Sequence, residues 1–433
     1  MTRHLSDYVG ASALTILLAT TIASGAVIVV DWAGGGDFET IQEAVVAAAD
    51  GDTIHIAPGT YQERVTPVDK ALLIRGSGAN KTELTWAGTG TTLDITMPTW
   101  GSVEIEDLRI ARVPDSESAL HWDEHTIFLR DCEISGRAGG GMYYGAADVS
   151  NCTITRLGVG GGVRQTVIND SRIGRMGIGG IQFQAGNSLA STRTRYGELM
   201  LGCLMYASCV EDSIGRVEVP GGIDCYSAFH AEDSTIDMVV GTRSPSVELD
   251  RCIVGDVSCT YVWEEEYVPL SLRSCLVTGS VLVESEYGAA GAGAPARPLA
   301  RNFAGLRLLH NTILGTLVYP IDVHMTWPPD AHWIRGNIVV GYTELYGGDH
   351  LVVSHNDFVG GASFTVPSDS TYANFNSNPR FCDSLGGDFE LEDCSPCLGA
   401  SYDGGDVGAF GVGCVCSTAV QELTWGAIKA LYR

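Results

Sequence analysis

The chain has 433 residues, of which 45% are hydrophobic and only 18% are charged, so it is able to bury a large core and is unlike a disordered chain. Its formal charge is −26, from 52 acidic residues against 26 basic ones. A surface this negative repels phosphate backbones, which argues against a nucleic-acid partner. It also repels acidic membranes and polyanionic sugars unless divalent cations bridge the two charges. No cofactor is assigned, and calcium is kept as the candidate.

The N-terminal segment has the pattern of an export signal. Residues 11–30 carry no charge and follow a head that contains Arg3. Small residues immediately before Ala26 suit a signal peptidase, so residues 1–25 are predicted to be a signal peptide. The alternative is an uncleaved anchor, because about 20 apolar residues span a bilayer. Export predicts a monomer that is secreted, periplasmic or on the cell surface, with no membrane span after cleavage.

Five of the 13 cysteines lie in the last sixth of the chain: Cys382, Cys394, Cys397, Cys414 and Cys416. In an exported protein this cluster predicts disulfides that staple a loop-rich end, with the first four as candidates. Zinc is the alternative, but the block has no second Cys-x-x-Cys and no nearby His. Because 13 is odd, at least one thiol stays unpaired in a monomer.

A short unit of the form polar, small or Cys, any, aliphatic recurs about every 20 residues. Its members are DCEI at 131, NCTI at 151, DSRI at 170, STRT at 191, EDSI at 211, DSTI at 233, RCIV at 251, SCLV at 274, NTIL at 311, GNIV at 336 and HNDF at 355. A unit this short cannot bury its own apolar side, so it must stack on its neighbours. Alternating residues between Gly, Asn and Asp turns predict strands, and the frame of leucine-rich repeats is absent.

These observations predict an all-β fold: a single-stranded right-handed parallel β-helix of about fifteen coils over residues 26–416. The recurring Cys, Ser and Thr are expected to form inward or turn ladders. The long gap between Val277 and Leu314 holds the low-complexity stretch YGAAGAGAPARPL, which is expected to be a loop outside the ladder. Glycine groups after the units are expected to stack at one corner with positive φ: Gly139 to Gly141, Gly160 to Gly162, Gly179 and Gly180.

Both ends of a coil stack need caps. Residues 40–43, Thr-Ile-Gln-Glu, form a capping box, and the helix that follows has an apolar side. It is predicted to cap the first coil within an N-terminal cap of about residues 36–65. A Cys-rich C-terminal cap is predicted over about residues 376–416. Residues 417–433 are a tail, either a further cap or a stub for sorting.

The two ends carry a resemblance to a known class of proteins. GDFETIQEAVVAAADGDTIHIAPGTYQERV, from Gly36 to Val65, and ALLIRGSG, from Ala71 to Gly78, resemble the opening of pectin-lyase-like proteins. They are similar in particular to secreted bacterial right-handed β-helix repeat proteins, as is the block from Asn378 to Cys414. The resemblance implies fold and export. It implies no activity, because this fold carries lyases, hydrolases, esterases and binding proteins.

No complete catalytic motif of such enzymes is present. Residues 59–63, GTYQE, match a GxYxE motif of pectin methylesterases, but that motif belongs to the structural opening. The segments QDTL, DFIFG and LGRPW of these esterases are missing, as are the NTD and GHG of polygalacturonases. HWDEH, from residue 121, and RPLAR, from residue 297, approach the WxDH and RxPxxR of pectate lyases without matching them.

Three groups remain as candidate sites. His121, Asp123 and His125 point to one face if they lie in a strand, and would serve as acid and base or bind a metal. Glu264, Glu265 and Glu266, flanked by Trp263 and Tyr267, are the metal candidates and would suit calcium or a sugar ring. An exposed aromatic loop is the third: His324, Trp327, His332 and Trp333.

The sequence therefore predicts an exported β-helix repeat protein, most consistent with a non-catalytic role. Its long side would present a surface that binds a glycan or another partner. The alternative is a calcium-assisted polysaccharide lyase or a glycoside hydrolase. A polysaccharide or a cell-surface glycan is the expected partner in both.

Overall fold

The computed structural model describes residues 25–96, 101–113, 118–122, 126–140, 146–160, 165–178, 187–203, 205–220, 227–242, 245–261, 270–285, 306–319, 332–346, 351–365 and 370–416. These residues form stacked parallel coils, so the predicted all-β parallel β-helix is confirmed. The solenoid has about 13 turns, slightly fewer than expected. One α-helix is described, Ile41–Ala47.

Each coil first contributes a strand to a 16-stranded parallel sheet, which we call the first sheet. The 16 strands include those of incomplete turns at both ends of the solenoid. Its strands are Val27–Val30, Thr53–Ile56, Leu73–Arg75, Ser102–Glu106, Thr126–Arg130, Ala146–Ser150, Gln165–Asn169, Asn187–Thr192, Met205–Val210, Ala228–Glu232, Ser246–Asp250, Leu270–Arg273, Leu306–Leu309, His332–Arg335, Leu351–Ser354 and Thr371–Tyr372.

After a tight corner, each coil enters a second sheet of 21 parallel strands, many of which bend and cover two sides of the solenoid. Its strands are Gly59–Gln62, Val65–Val68, Thr82–Trp86, Leu93–Ile95, Arg109–Arg112, Ser118–Trp122, Glu133–Gly140, Thr153–Val159, Arg172–Ile178, Arg195–Leu201, Ser213–Pro220, Thr235–Thr242, Ile253–Tyr261, Leu276–Val277, Val281–Ser285, Thr312–Ile313, Leu317–Tyr319, Ile338–Val339, Thr343–Tyr346, Asp357–Phe358 and Ala362–Thr365.

The repeat unit found in the sequence is the corner between the two sheets. Its first residue has positive φ, as at Asp131 and Asn151 (both 53°), and its second residue is buried, as at Cys132 and Cys152. The aliphatic residue that ends the unit, such as Ile134, is also buried. Inward ladders of small and sulfur-containing side chains are therefore confirmed, and a continuous apolar core runs along the stack.

Two members of the repeat were assigned to the wrong frame. In the unit read as STRT, Arg193 has the positive φ, Thr194 is the buried ladder residue and Tyr196 takes the aliphatic position. In the unit read as NTIL, His310 has the positive φ and Asn311 is the ladder residue. The sequence pattern gave the wrong frame because Thr and Asn suit both the corner position and the buried ladder position.

The expectation that Gly139 stacks at a corner with positive φ is wrong. Gly139 lies inside the strand Glu133–Gly140, and the corner conformation is taken by Asp, Asn and other side chains. Gly140 ends the same strand, and Gly160 is the last residue of a described range. The other glycines of that prediction lie outside the described residues: Gly141, Gly161, Gly162, Gly179 and Gly180. Glycines stack instead where second-sheet strands bend: Gly174, Gly197, Gly215, Gly255, Gly279, Gly315, Gly341 and Gly360. A Cβ at Gly174 would lie 2.6 Å from the Thr155 carbonyl oxygen, so a side chain at this glycine would collide with the preceding coil.

The capping helix begins at Ile41, as predicted. Thr40 is the N-cap, and its Oγ1 accepts a hydrogen bond from the Glu43 backbone N–H at 3.2 Å. Glu63 completes the cap, since its carboxylate accepts from the backbone N–H groups of Ile41 (2.9 Å) and Gln42 (3.0 Å). The Glu of the GTYQE segment is thus a structural residue that holds the helix on the first coil.

The C-terminal block contains two disulfides and a small third sheet. Its strands are Phe381–Asp383, Asp388–Glu392 and Val412–Cys414. The disulfides join Cys382 to Cys414 and Cys394 to Cys416. The prediction of a disulfide at Cys397 is wrong, because this residue is a buried free thiol that contacts the Asp357 carboxylate at 3.4 Å.

Candidate functional site

Three arginines occupy equivalent positions on three successive coils. Arg137 is in register with Arg156, and Arg156 with Arg175, beyond the bend of the second-sheet strands. All three side chains are exposed. Neighbouring strands lie about 4.8 Å apart, so the three side chains form a row along the solenoid axis. We call Arg137, Arg156 and Arg175 the arginine row.

A row of glycines runs beside the arginine row. Gly139, Gly158 and Gly177 are in register with one another, two residues further along the same strands. A Cβ at Gly177 would meet no atom within 4 Å, and one at Gly139 would lie 3.4 Å from Nε of Arg137. The sheet surface is therefore bare backbone next to the guanidinium group, so a ligand is able to approach it closely. We call these three residues the glycine row.

The coils that carry the arginine row are positively charged in a strongly negative chain. Residues 130–201 contain eight arginines and five acidic residues, a formal charge of +3, against −26 for the whole chain. The segments that directly follow the three strands contain no Asp or Glu: 141–145, 161–164 and 179–186. They therefore have no carboxylate with which to neutralise the row.

Two members of the arginine row have no acidic partner among the described residues. In a neighbouring coil, Arg130 pairs with Glu104 at 3.1 Å, and Arg175 itself pairs with an acid of the next coil at 2.9 Å. Arg137 and Arg156 make no ion pair with any residue that the structure describes. Like charges directly opposite on neighbouring strands are destabilising. The arrangement is suited to an anion that binds across the row and removes this repulsion.

An acid–imidazole pair continues the line of the glycine row. His121 is in register with Gly139 on one side and with Asp94 on the other. Nδ1 of His121 lies 2.9 Å from Oδ1 of Asp94, and this hydrogen bond lowers the pKa of the Asp94 carboxyl. The Asp94 carboxylate accepts a hydrogen bond from Nδ1–H, which fixes the tautomer and the orientation of the imidazole ring. Such a pair is able to act as a general acid or base.

Of the candidate residues predicted from the sequence, the structure places His121 in this pair. Asp123 and His125 of the same candidate lie outside the described residues. The metal candidates and several of the aromatic residues lie there too: Glu264, Glu265, Glu266, Trp263, Tyr267, His324 and Trp327.

The prediction that His332 and Trp333 line an exposed loop is wrong. Both belong to the first-sheet strand His332–Arg335, where alternate side chains point inward. His332 is buried, and its Nδ1 accepts from the Leu306 backbone N–H at 3.2 Å. Trp333 packs between two guanidinium groups, those of Arg307 at 5.6 Å and Arg335 at 4.9 Å from the ring centre. These contacts are structural.

Metal-ligating atoms converge at one place within the residues that the structure describes. Ligand atoms of Glu392, Cys394 and Cys416 lie within 4.8 Å of one another. The two sulfur atoms form a disulfide, so they are not available as thiolates. Calcium takes about six to eight oxygen ligands, which one carboxylate does not supply. This cluster does not fit calcium.

The repeat pattern did not reveal the arginine row because the unit was read only as far as its aliphatic residue. Arg137, Arg156 and Arg175 follow that residue by two or three positions. They are separated by 19 residues each, which matches the repeat. A frame extended past the bend would have found both the arginine row and the glycine row.

Comparisons with known proteins give similarity of fold only. A solved pectin methylesterase from carrot is 14% identical, with a TM-score of 0.26 over 61% of this chain and 84% of that one. The crystal structure of pectate lyase Pel9A is 11% identical, with a TM-score of 0.20 over 90% of this chain and 98% of that one. No protein-family model matches the chain, and no curated protein matches it.

The parallel coils themselves establish the β-solenoid architecture that the opening segment predicted. In the described residues, no helix has the length and apolar character needed to cross a membrane.

Proposed function

We propose that this protein is an exported, non-catalytic β-solenoid that binds an acidic polysaccharide along the arginine row. The observation that carries the proposal is the in-register stack of Arg137, Arg156 and Arg175, two of them without an acidic partner in the described structure. Signal-peptide removal before Ala26, a monomeric state and an extracellular location are parts of the same proposal. The two disulfides of the C-terminal block support export.

The chemistry of the arginine row suits carboxylate or sulfate groups. Guanidinium is planar and donates two parallel hydrogen bonds to such oxyanions. A chain that runs along the solenoid axis meets a guanidinium group at each coil, about every 4.8 Å. The adjacent glycine row offers no side chain that would hold the sugar backbone away.

The acidic remainder of the molecule gives the site its selectivity. Outside residues 130–201, the chain has 18 basic and 47 acidic residues, a formal charge of −29. An acidic polymer is repelled by that surface and attracted by the arginine row. The overall charge, which argued against polyanionic sugars, therefore limits where such a sugar binds.

A second candidate function is supported by Asp94 and His121. Their hydrogen bond of 2.9 Å lies in line with the glycine row, one coil from Gly139. A sugar chain bound on the arginine row would pass this pair if it extended by one coil. His121 would then act as a general base or acid in cleavage of that chain, by elimination or by hydrolysis.

The binding proposal is tested with matched ligands. Residues 26–433 are titrated with a polyuronate and with the same polysaccharide after reduction of its carboxyl groups. We expect binding of the polyuronate alone, with an affinity that falls as salt is raised. Equal affinity for the two polysaccharides would exclude recognition by charge.

The catalytic candidate is tested in the same samples, with calcium and with chelator. Unsaturated sugar ends would indicate a lyase and new reducing ends alone a hydrolase. If either product forms with wild type, its loss in His121→Ala would support a catalytic role of the Asp94–His121 pair. Absence of both products from the polyuronates and the neutral glycans would favour the non-catalytic proposal.

A further inference from the structure

A groove runs along the corner that precedes the arginine-row strands. One wall is the corner row with positive φ, formed by Asn151, Asp170, Arg193 and Glu211. The other wall is the first outward position of the second-sheet strands, formed by Thr153, Arg172, Arg195 and Ser213, which are in register on successive coils. We call this the corner groove. Its volume is about 420 Å³, within the usual range for small-ligand sites.

The charges of the two walls are balanced differently. On the corner wall, Asp170 accepts two hydrogen bonds from Arg193, at 2.7 and 2.8 Å, so this pair is neutral. On the strand wall, Arg172 faces Arg195 directly and neither makes an ion pair with any described residue. Two exposed guanidinium groups are thus in register without an ion-paired carboxylate, and the one further acidic side chain of the groove, Glu211, lies on the opposite wall.

The same strand position shows alternating charge elsewhere. Three coils before Arg172, Arg109 lies between Glu83 and Glu133, at 3.5 Å from each. There the row is neutralised by the protein itself. In the corner groove two arginines, Arg172 and Arg195, are adjacent instead. Their positive charges repel each other, and a bound anion would relieve that repulsion.

The groups that flank the two arginines are neutral and polar. Thr153 precedes Arg172 and Ser213 follows Arg195 in the same row. Their hydroxyl groups both donate and accept hydrogen bonds, as sugar hydroxyls do. The groove therefore offers a central positive site with hydroxyl groups on either side, about four coils long in total.

We propose that the corner groove binds a compact oxyanion, either a sulfate ester or a second carboxylate, on a sugar substituent of the polysaccharide. The inference rests on the proposed function, because the main chain would lie on the arginine row. Arg172 and Arg175 belong to one strand and are separated by the bend at Gly174. A substituent that crosses this bend would connect the two sites, so the protein would select substituted over linear acidic chains.

The groove is first tested with small ions, independently of any polymer. The thermal midpoint of residues 26–433 is measured in sulfate, in a monomeric uronate and in chloride at equal ionic strength. A specific ion should raise the midpoint by about 3 °C or more relative to chloride. Arg172→Gln/Arg195→Gln should lose that rise. Sulfate also stabilises folded proteins in general by salting out, and the comparison between this variant and wild type removes that general effect. Arg273→Gln, an exposed arginine of the first sheet, is the matched control.

The outcomes separate the two proposals. A rise with sulfate alone identifies a sulfate ester as the occupant, and a rise with uronate alone identifies a carboxylate. An equal response of wild type and Arg172→Gln/Arg195→Gln to both ions would overturn the groove. If the ion effect depends on Arg172 and Arg195 while no polyuronate binds, the proposed function fails and the groove stands.

The polymer test then addresses selection. A polyuronate and its O-sulfated derivative of equal length are titrated at one salt concentration. If sulfate is the ion that raises the midpoint, wild type should bind the sulfated chain at least tenfold more tightly, and Arg172→Gln/Arg195→Gln should bind the two within about twofold. Arg137→Gln/Arg156→Gln should lose affinity for both. An unchanged preference in Arg172→Gln/Arg195→Gln would contradict the proposal.

Discussion

The side-chain amide of Asn311 donates a hydrogen bond to Oδ1 of Asn337, one coil further along, at 2.9 Å. The same Oδ1 accepts from the backbone N–H of Asn311, also at 2.9 Å. Nδ2 of Asn337 in turn donates to the Leu308 carbonyl at 2.8 Å and to Oδ1 of Asn356. Buried polar groups stacked this way satisfy each other, so the amide ladder holds successive coils in one register.

Asp212 occupies the equivalent ladder position with a carboxyl group. Its Oδ1 accepts from the Thr194 backbone N–H at 2.7 Å, and burial raises its pKa to about 6. A raised pKa in the folded state means that the stability contributed by this group is present at low pH and lost as pH rises through about 6. We therefore expect Asp212 to make the wild type less stable as the pH rises from about 4, its usual pKa, to just above 6.

Asp212→Asn should stabilise the protein by about 1–3 kcal/mol at pH 8 and by much less at pH 4, where Asp212 is protonated in the folded protein. The new Nδ2 would donate to the Ser191 carbonyl, as Asn337 does to its own partner. Denaturant unfolding at both pH values measures the effect. Asp131→Asn, at an exposed corner, is the control and should change stability by less than about 0.5 kcal/mol. Equal gains at pH 4 and pH 8 would show that folding does not raise the pKa of Asp212.

The helix cap gives a second prediction. Glu63→Ala removes both hydrogen bonds to the helix N-terminus, so the unfolding free energy should fall by about 1–2 kcal/mol. Glu63→Gln keeps one acceptor and should have an intermediate effect. Chemical denaturation followed by circular dichroism provides the measurement. If Glu63→Ala unfolds at the same denaturant concentration as wild type, the cap contributes nothing to stability.

The glycine bend gives a third prediction. In Gly315→Ala, the new Cβ would overlap the Gly279 carbonyl oxygen, so we expect a loss of about 2 kcal/mol or more. Gly177→Ala is the matched control for stability, since its Cβ would meet no atom within 4 Å. It should leave the thermal midpoint unchanged or slightly raised. Equal midpoints for the two variants would mean that the bend relaxes to admit a methyl group.

The cysteine pattern gives a fourth prediction. Burial raises the pKa of the Cys397 thiol to about 12, so it should resist alkylation in the native protein and react only after unfolding. Peptide mapping without reduction should recover Cys382 linked to Cys414 and Cys394 linked to Cys416. A peptide that links Cys397 to another cysteine would contradict the structure of the C-terminal block.

The fold was predictable because a β-helix repeats its local chemistry at every coil. A ladder residue such as Cys132 must be small, and Ile134 must be apolar, so the sequence pattern repeats with the coil. The capping helix was predictable for a similar reason, since Thr40 and Glu43 act through local backbone hydrogen bonds. The frame failed only where one residue type suits two positions, as at Thr194.

The candidate site was less predictable because its determinants lie between coils. Nothing in the local sequence shows that Arg137 and Arg156 have no carboxylate partner in the described part of the chain, as this depends on which residues are in register. Likewise, the pairing of His121 with Asp94 joins residues 27 positions apart. Cys397 shows the same limit, since proximity in sequence to Cys394 says nothing about the partner that folding provides.

The central claim is that the arginine row binds an acidic polysaccharide, and its most direct test is the affinity of Arg137→Gln/Arg156→Gln for a polyuronate. Charge-assisted contacts of this kind contribute about 1.5–3 kcal/mol each, so the double variant should bind at least tenfold more weakly than wild type. Arg273→Gln, measured at the same salt concentration, should match wild type. Equal affinities for wild type and Arg137→Gln/Arg156→Gln, with both folded, would contradict the account.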